Sequence, residues 1–287
     1  MLQCLIVQPI HQIGHDLLRQ AGIMPRLARS CDMTDVAGEI EDAAAVATRN
    51  AGLNRVYWDL SNEPSKSPRM RTKPVNDPDF RMNADGTRNA PGFGTLSVLM
   101  PPGKYSVKLT VDGQSYTQPL TVLRDPNQRE TEADIVASTN LLKSIQADMN
   151  TAAEVLGTTE SARAQILALG EDLRSKAAEL RPLADSVEQK FMTVGANVVD
   201  PRLTGRGQDE VRYPVKIGGQ LNWLAGGVSA SDFTPASQQR DVAGILAKQT
   251  RDTRDALQKL VAGDLARLNA QLRAKGLKTI DLGSVVF

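Results

Sequence analysis

Cys4, His11, His15 and Cys31 gather every cysteine and histidine of the chain, 2 of each, into its opening segment. Thiolate and imidazole are the ligands that tetrahedral zinc prefers. Their spacing does not make a zinc site: the two cysteines stand far apart, Cys4 sits among the apolar residues of a strand, and no paired Cys-x-x-Cys pattern accompanies His11 and His15. Buried thiols and a histidine at a helix start are the expected reading. With so little imidazole, general acid–base or metal chemistry has few residues to work with.

Three other constellations invite chemistry. Gly92-Phe93-Gly94 is a fragment of a dinucleotide turn, but a third glycine is missing and the string leads into a strand instead of a helix, so it reads as a loop. Asn83-Ala84-Asp85-Gly86 has the middle of a calcium loop. Arg81 stands where a preceding ligand belongs and Gly92 where the closing Glu belongs, so a turn is expected. Arg69, Arg71 and Lys73 suggest a basic patch, but Asp77 and Asp79 are interspersed and solvated loop charges explain them. No Gly-x-Ser-x-Gly elbow occurs, and Glu171-Asp172 reads as the polar face of a helix. No catalytic residue, cofactor or metal is therefore assigned.

The elements that position these residues fall into three languages. Leu5-Ile6-Val7 reads as a strand, Ile13, Leu17 and Leu18 as a helix stopped by Gly22, and Arg26 to Arg29 as a second strand. Asp32 or Thr34 is placed to cap a second helix carrying Val36, Ile40 and Ala44. From Arg55, Val56 to Leu60 has strand alternation, followed by an irregular stretch to Gly94 crowded with Pro, Asn, Asp and Gly. Leu96 to Val122 then reads as three strands, with Asp112-Gly113 as a two-residue hairpin turn. An immunoglobulin-like antiparallel β-sandwich, completed by the Trp58 strand, is the expected container.

After Asp125-Pro126 the period becomes helical. Ile135, Leu142, Ile145, Met149, Ala152 and Leu156 mark one helix, and Ile166 through Val194 a second, bent at Pro182. Ile217, Leu221, Leu224 and Val228 mark a third. The fourth is capped by Thr234-Pro235, carries Val242, Ile245, Leu246, Leu257, Val261, Leu265, Leu268 and Leu272, and ends at Gly276. Four one-sided helices predict an up-and-down bundle. The fold class expected is thus α+β and multidomain: an incomplete βαβα half-domain at 1–54, a β-sandwich at 55–128 and a four-helix bundle at 129–287.

Two stretches resemble known families. Leu5-Ile6-Val7-Gln8-Pro9-Ile10-His11, Gly14, Leu17-Leu18 and Ala45-Val46-Ala47-Thr48-Arg49-Asn50-Ala51-Gly52-Leu53 resemble the start of D-isomer-specific 2-hydroxyacid dehydrogenases. The resemblance implies the opening of a substrate-binding domain, with the NAD-binding Rossmann domain and the late histidine of that family missing here. Asn54-Arg55-Val56-Tyr57-Trp58-Asp59-Leu60, Met100-Pro101-Pro102-Gly103-Lys104-Tyr105-Ser106-Val107, Thr117-Gln118-Pro119-Leu120-Thr121-Val122 and Asp125-Pro126-Asn127 resemble the region after the β-propeller in bacterial sortilin-like, BNR-repeat "glycosyl hydrolase" proteins. Gly52-Leu53-Asn54-Arg55 suits both patterns, as an illegitimate recombination or a misassembled read would leave it. The chain therefore reads as a chimera of two incomplete proteins.

The functions implied follow from this. The leading one is a non-catalytic accessory or interaction module whose partner is a β-propeller or another protein. The alternative is a remnant NAD-dependent dehydrogenase without its nucleotide-binding domain. Lys+Arg 34 against Asp+Glu 33 leaves a formal charge of +1, which offers no global attraction to nucleic acid or an anionic membrane. No run of about 18 apolar residues and no signal segment is visible, so a cytoplasmic protein is expected, although the sortilin-like family is usually exported.

Overall fold

A computed structural model describes residues 28–35, 41–45, 56–111 and 114–283. The chain is mixed α+β: antiparallel strands occupy its first half and helices the region from residue 132 onward. It divides into two compact units, one holding Ser97–Thr139 with the described residues before 65, the other Ser65–Leu96 with the described residues from 140 on. The irregular stretch thus groups with the helices, not with the strands that flank it in sequence.

The first unit is built on one four-stranded antiparallel sheet. Its strands are β1 (Ala28–Asp35), β2 (Glu41–Ala45), β5 (Gly103–Val111) and β6 (Gln114–Val122), in the order β2-β1-β5-β6. β5 and β6 pair from Gly103↔Val122 to Val111↔Gln114, which is the register of a two-residue hairpin. The turn residues Asp112 and Gly113 themselves lie outside the described residues. Alternation does what it predicts: Tyr105 and Val107 are buried on β5 with Leu109 partly so, and Leu120 is buried opposite Tyr105. Pro119, which cannot donate to a ladder, sits on the edge strand β6.

Two expectations for this unit change. Asp32 and Thr34 do not cap a helix; they lie within β1, opposite Lys108 and Ser106 of β5. The segment Glu41–Ala45, expected to be helical, is strand β2 and pairs antiparallel with β1. An alanine run is a good helix former, but a weak local preference yields when a neighbouring strand offers a ladder of backbone hydrogen bonds. An antiparallel ladder is also not the parallel crossover of a βαβα half-domain, and the β1–β5 pairing crosses the module boundary expected at 54. Leu5 to Val7 and Ile13 to Gly22 lie outside the described residues.

Trp58 does not extend the sheet as a strand. Among the described residues between β2 and β5, strand pairing in this unit is a single bridge, Ser61↔Leu99. Trp58 instead packs edge-on against Tyr105, with ring centroids 5.9 Å apart, and its Nε1–H donates to the Ser61 carbonyl at 2.8 Å. The Tyr105 hydroxyl donates to the Pro101 carbonyl at 2.6 Å.

In the second unit a short ribbon, β3 (Arg69–Met70) with β4 (Arg88–Asn89), interrupts the irregular stretch. The helices are α1 (Glu132–Ala168, of which residues from 140 belong here), α2 (Gly170–Lys176), α3 (Arg181–Gly195), α4 (Asp209–Arg212), α5 (Ile217–Ser229), α6 (Ser237–Leu260) and α7 (Ala266–Ala274). The first helix is longer than its stripe suggests, taking in Ile166. Pro182 stands in the first turn of α3, starting that helix and not bending a longer one, because its missing N–H costs nothing there. The α6 helix begins at Ser237, just after Pro235.

The final stretch shows how spacing decides burial. Ala243, Leu246, Thr250, Thr253, Leu257 and Leu260 step by three and four and are buried, whereas Val242 and Ile245, expected in the core, are exposed. A stripe read from apolar residues alone overlooks the threonines that complete the seam. A π turn at Val261–Leu265 then adds one residue of phase, so Leu265, Leu268 and Leu272 stay buried as the seam continues. Gly276, at φ 67°, ends α7: its N–H reaches the Arg273 carbonyl and the Leu277 N–H reaches that of Leu272, a Schellman closure.

Candidate functional site

The densest polar constellation among the described residues is an internal clamp between α1 and the irregular stretch. Leu156 on the buried stripe of α1 is followed four residues later by Glu160 and then, at intervals of three, by Arg163 and Ile166. The helix therefore turns two opposite charges into its own core. Glu160 is 2% exposed and Arg163 7%. The Glu160 carboxylate accepts from the backbone N–H groups of Arg71 and Thr72 at 2.8 and 2.9 Å, from the Thr72 hydroxyl, and from Arg163 Nη1 at 2.9 Å. Arg163 Nε donates to Glu188 of α3 at 2.8 Å. Each buried charge thus has an opposite neighbour and several hydrogen bonds, the condition under which burial of ions is tolerated.

Thr72 links this clamp to a fourth charge. Its carbonyl accepts from Arg88 Nε at 2.9 Å, while Arg88 Nη1 donates to the Leu203 carbonyl at 2.7 Å. Arg88 is 3% exposed, and burial pushes its guanidinium pKa down, against the opposing pull of Glu160. Its Nη2 has no hydrogen-bond partner among the described residues.

Arg88 also forms part of the wall of a pocket of about 640 Å3 between residues 80–92 and 203–211. Its guanidinium lies 5.6 Å from the centre of the Phe80 ring, and that of Arg206 lies 4.6 Å from the same ring. Arg81 lines the pocket as well. A carboxylate on the wall, that of Asp209, is already engaged: its Oδ2 accepts from the backbone N–H and hydroxyl of Thr204 at 2.6 and 2.7 Å and from the N–H groups of Gly205 and Arg206. Burial would raise its pKa, but these donors outweigh burial and hold it below the usual carboxylate range. Gly205, at φ 79°, supplies the left-handed turn that aims consecutive N–H groups at one oxygen.

A third feature is apolar. Trp223 on α5 is 57% exposed and Ile245 on α6 56%, with Val242 beside it and Phe233 exposed in the connection. The Gln239 side chain donates to the Gly227 carbonyl at 3.1 Å. Trp223 lies one turn before Gly227, and Val242 lies one turn after Gln239.

The constellations singled out from sequence fall elsewhere. Cys4, His11 and His15 lie outside the described residues, and only the backbone of Cys31 is placed, within β1. Asn83 to Gly86 is a closed turn: the Gly86 N–H donates to the Asn83 carbonyl, and Asp85 accepts from the Thr87 hydroxyl and N–H, which lower its pKa. In Gly92-Phe93-Gly94, the Phe93 side chain packs so tightly on Gly218 of α5 that a Cβ there would meet its ring at 2.4 Å. Arg69, Arg71 and Lys73 do not converge: Arg69 bonds Asn89, the Arg71 N–H enters the clamp, and Lys73 donates to the Pro78 carbonyl. Glu171 and Asp172 pair with Arg174 and Lys176 on an exposed surface. No group of His, Cys, Asp and Glu suited to a metal occurs among the described residues, and none of their helices is long and apolar enough to cross a membrane.

The sequence reading missed the clamp. Its one local signal is a Glu and an Arg three apart at positions that continue an apolar stripe. In comparisons with known proteins, no family model, no curated protein and no solved structure matches the chain.

Proposed function

We propose that this chain is a non-catalytic interaction module that docks onto a protein partner through the α5–α6 hairpin, with a β-propeller as that partner. The observation that carries the reading is the exposure of Trp223, Phe233, Val242 and Ile245 on one helical hairpin. Apolar side chains grouped at a surface mark protein contact, and a tryptophan is the commonest anchor of such contacts. The groups that acid–base chemistry would need support it too, because Glu160, Arg163 and Glu188 are spent on one another. The choice of a propeller rests on the resemblance of residues 54–287 to the region that follows one in sortilin-like proteins. An immunoglobulin-like sandwich and an up-and-down bundle belong to the same proposal.

The test is titration of the full chain with a separately expressed propeller of a sortilin-like protein. A complex at tens of micromolar that is lost in Trp223→Asp/Ile245→Asp supports the reading. No complex at that concentration, or one indifferent to the double substitution, overturns it.

A further inference from the structure

The pocket beside Arg88 has a polarity that the docking surface does not explain. Among the described side chains, Arg81, Arg88 and Arg206 line it against one carboxylate, that of Asp209, whose Oδ2 is taken by donors from Thr204, Gly205 and Arg206. Neither Arg81 nor Arg206 forms a side-chain ion pair or hydrogen bond among the described residues. Arg88 is the informative member. A guanidinium buried to this extent normally satisfies all its N–H groups, because a buried donor without an acceptor keeps the full cost of its lost hydration. Arg88 has acceptors at Nε and Nη1 and none at Nη2.

The walls supply the rest of a binding site. Asn83, Asn89 and Gln208 place neutral amides around the pocket, and Phe80 offers a ring already flanked by two guanidinium groups. The volume of about 640 Å3 lies within the range of small-molecule sites and exceeds what a bare inorganic ion fills.

We propose that this pocket binds a small organic molecule bearing an oxyanion, carboxylate or phosphoryl, with Arg206 and Arg81 gripping the charged group at the mouth and Arg88 completing the positive wall behind it. Guanidinium groups meet both kinds of oxyanion through paired N–H donors. Arg206 is the residue to vary, because its exposed guanidinium can be removed without opening the core, whereas loss of Arg88 would also strip Thr72 and Leu203 of their donor.

The experiment is isothermal titration of the full chain with citrate and, separately, with inorganic pyrophosphate, at constant ionic strength, with uncharged ribose as control. Saturable binding of either anion and none of ribose is expected, weakened about tenfold or more in Arg206→Gln and less in Arg206→Lys. Binding of citrate alone assigns the carboxylate source, of pyrophosphate alone the phosphoryl source, and of both the shared chemistry. Absence of saturable heat with both anions up to about 10 mM, or equal affinity in Arg206→Gln, overturns the proposal.

Discussion

Thr72 and Glu160, 88 positions apart in the chain, meet through a backbone N–H and a hydroxyl that both donate to one carboxylate, at 2.9 and 2.7 Å. This contact fastens an otherwise irregular stretch to α1. The same hydroxyl accepts from Arg163 Nη1 at 3.1 Å, so the threonine neutralises no charge but orients both partners of an ion pair.

Removing both charges of this clamp should therefore cost less than the two single removals added together. Glu160→Gln leaves Arg163 and the Arg71 and Thr72 amides facing a weaker acceptor, and a loss of about 3–5 kcal/mol is expected. Glu160→Gln/Arg163→Met should lose less than the sum of the single changes. Urea unfolding of the four proteins measures it; strict additivity would show that the two residues act independently.

A buried hydroxyl on α6 should be replaceable with profit. Thr250 Oγ1 is buried and has no partner among the described residues, whereas Thr253 Oγ1 donates to the Gln249 carbonyl at 2.8 Å. Thr250→Val should raise stability by about 1 kcal/mol, since it exchanges an unsatisfied polar group for a methyl of the same shape. Thr253→Val should gain nothing. Thermal unfolding compares them, and equal shifts in the two variants contradict the assignment.

Glycine-to-alanine changes inside helices normally stabilise by about 0.5–1 kcal/mol. At Gly218 the sign should reverse, because the new Cβ would fall 2.4 Å from the Phe93 ring and 3.1 Å from the Val198 carbonyl oxygen. A loss of about 1–3 kcal/mol is expected from overpacking. Gly226→Ala, where a Cβ meets nothing within 4 Å, is the internal control and should not destabilise. The difference between their melting temperatures is the measurement.

Acid should act in opposite directions on two aspartates. Asp209 has its pKa lowered by the Thr204, Gly205 and Arg206 donors working against burial, so its contribution is present above the unfolded value and lost as pH falls through the folded one. Asp148 has its pKa raised by burial, against the pull of Arg251, so it costs stability once pH exceeds the folded value and nothing below the unfolded one. Asp148→Asn should accordingly stabilise at about pH 7 and become neutral by about pH 3, while Asp209→Asn should destabilise at about pH 7 and converge on the parent at low pH. Denaturant midpoints across that range give both signs at once.

Much of the architecture was legible in neighbouring residues. Asp112-Gly113 between alternating runs announced the β5–β6 register, Gly276 announced the end of α7, and the stripes of α1, α3 and α5 announced their buried faces, because turn chemistry and helical period depend on residues a few positions apart. What the chain order could not show is which distant groups would meet. Nothing near Glu160 and Arg163 in the chain announces Thr72 and Glu188, which close on them. Glu41–Ala45 reads as helix until β1 offers its edge. Val242 and Ile245 read as core until the threonine seam beside them takes the inner face. In each case the local preference amounts to a few tenths of a kilocalorie per residue, while the contact that overrides it is made across the fold, where a buried charge or an unpaired backbone group must be satisfied.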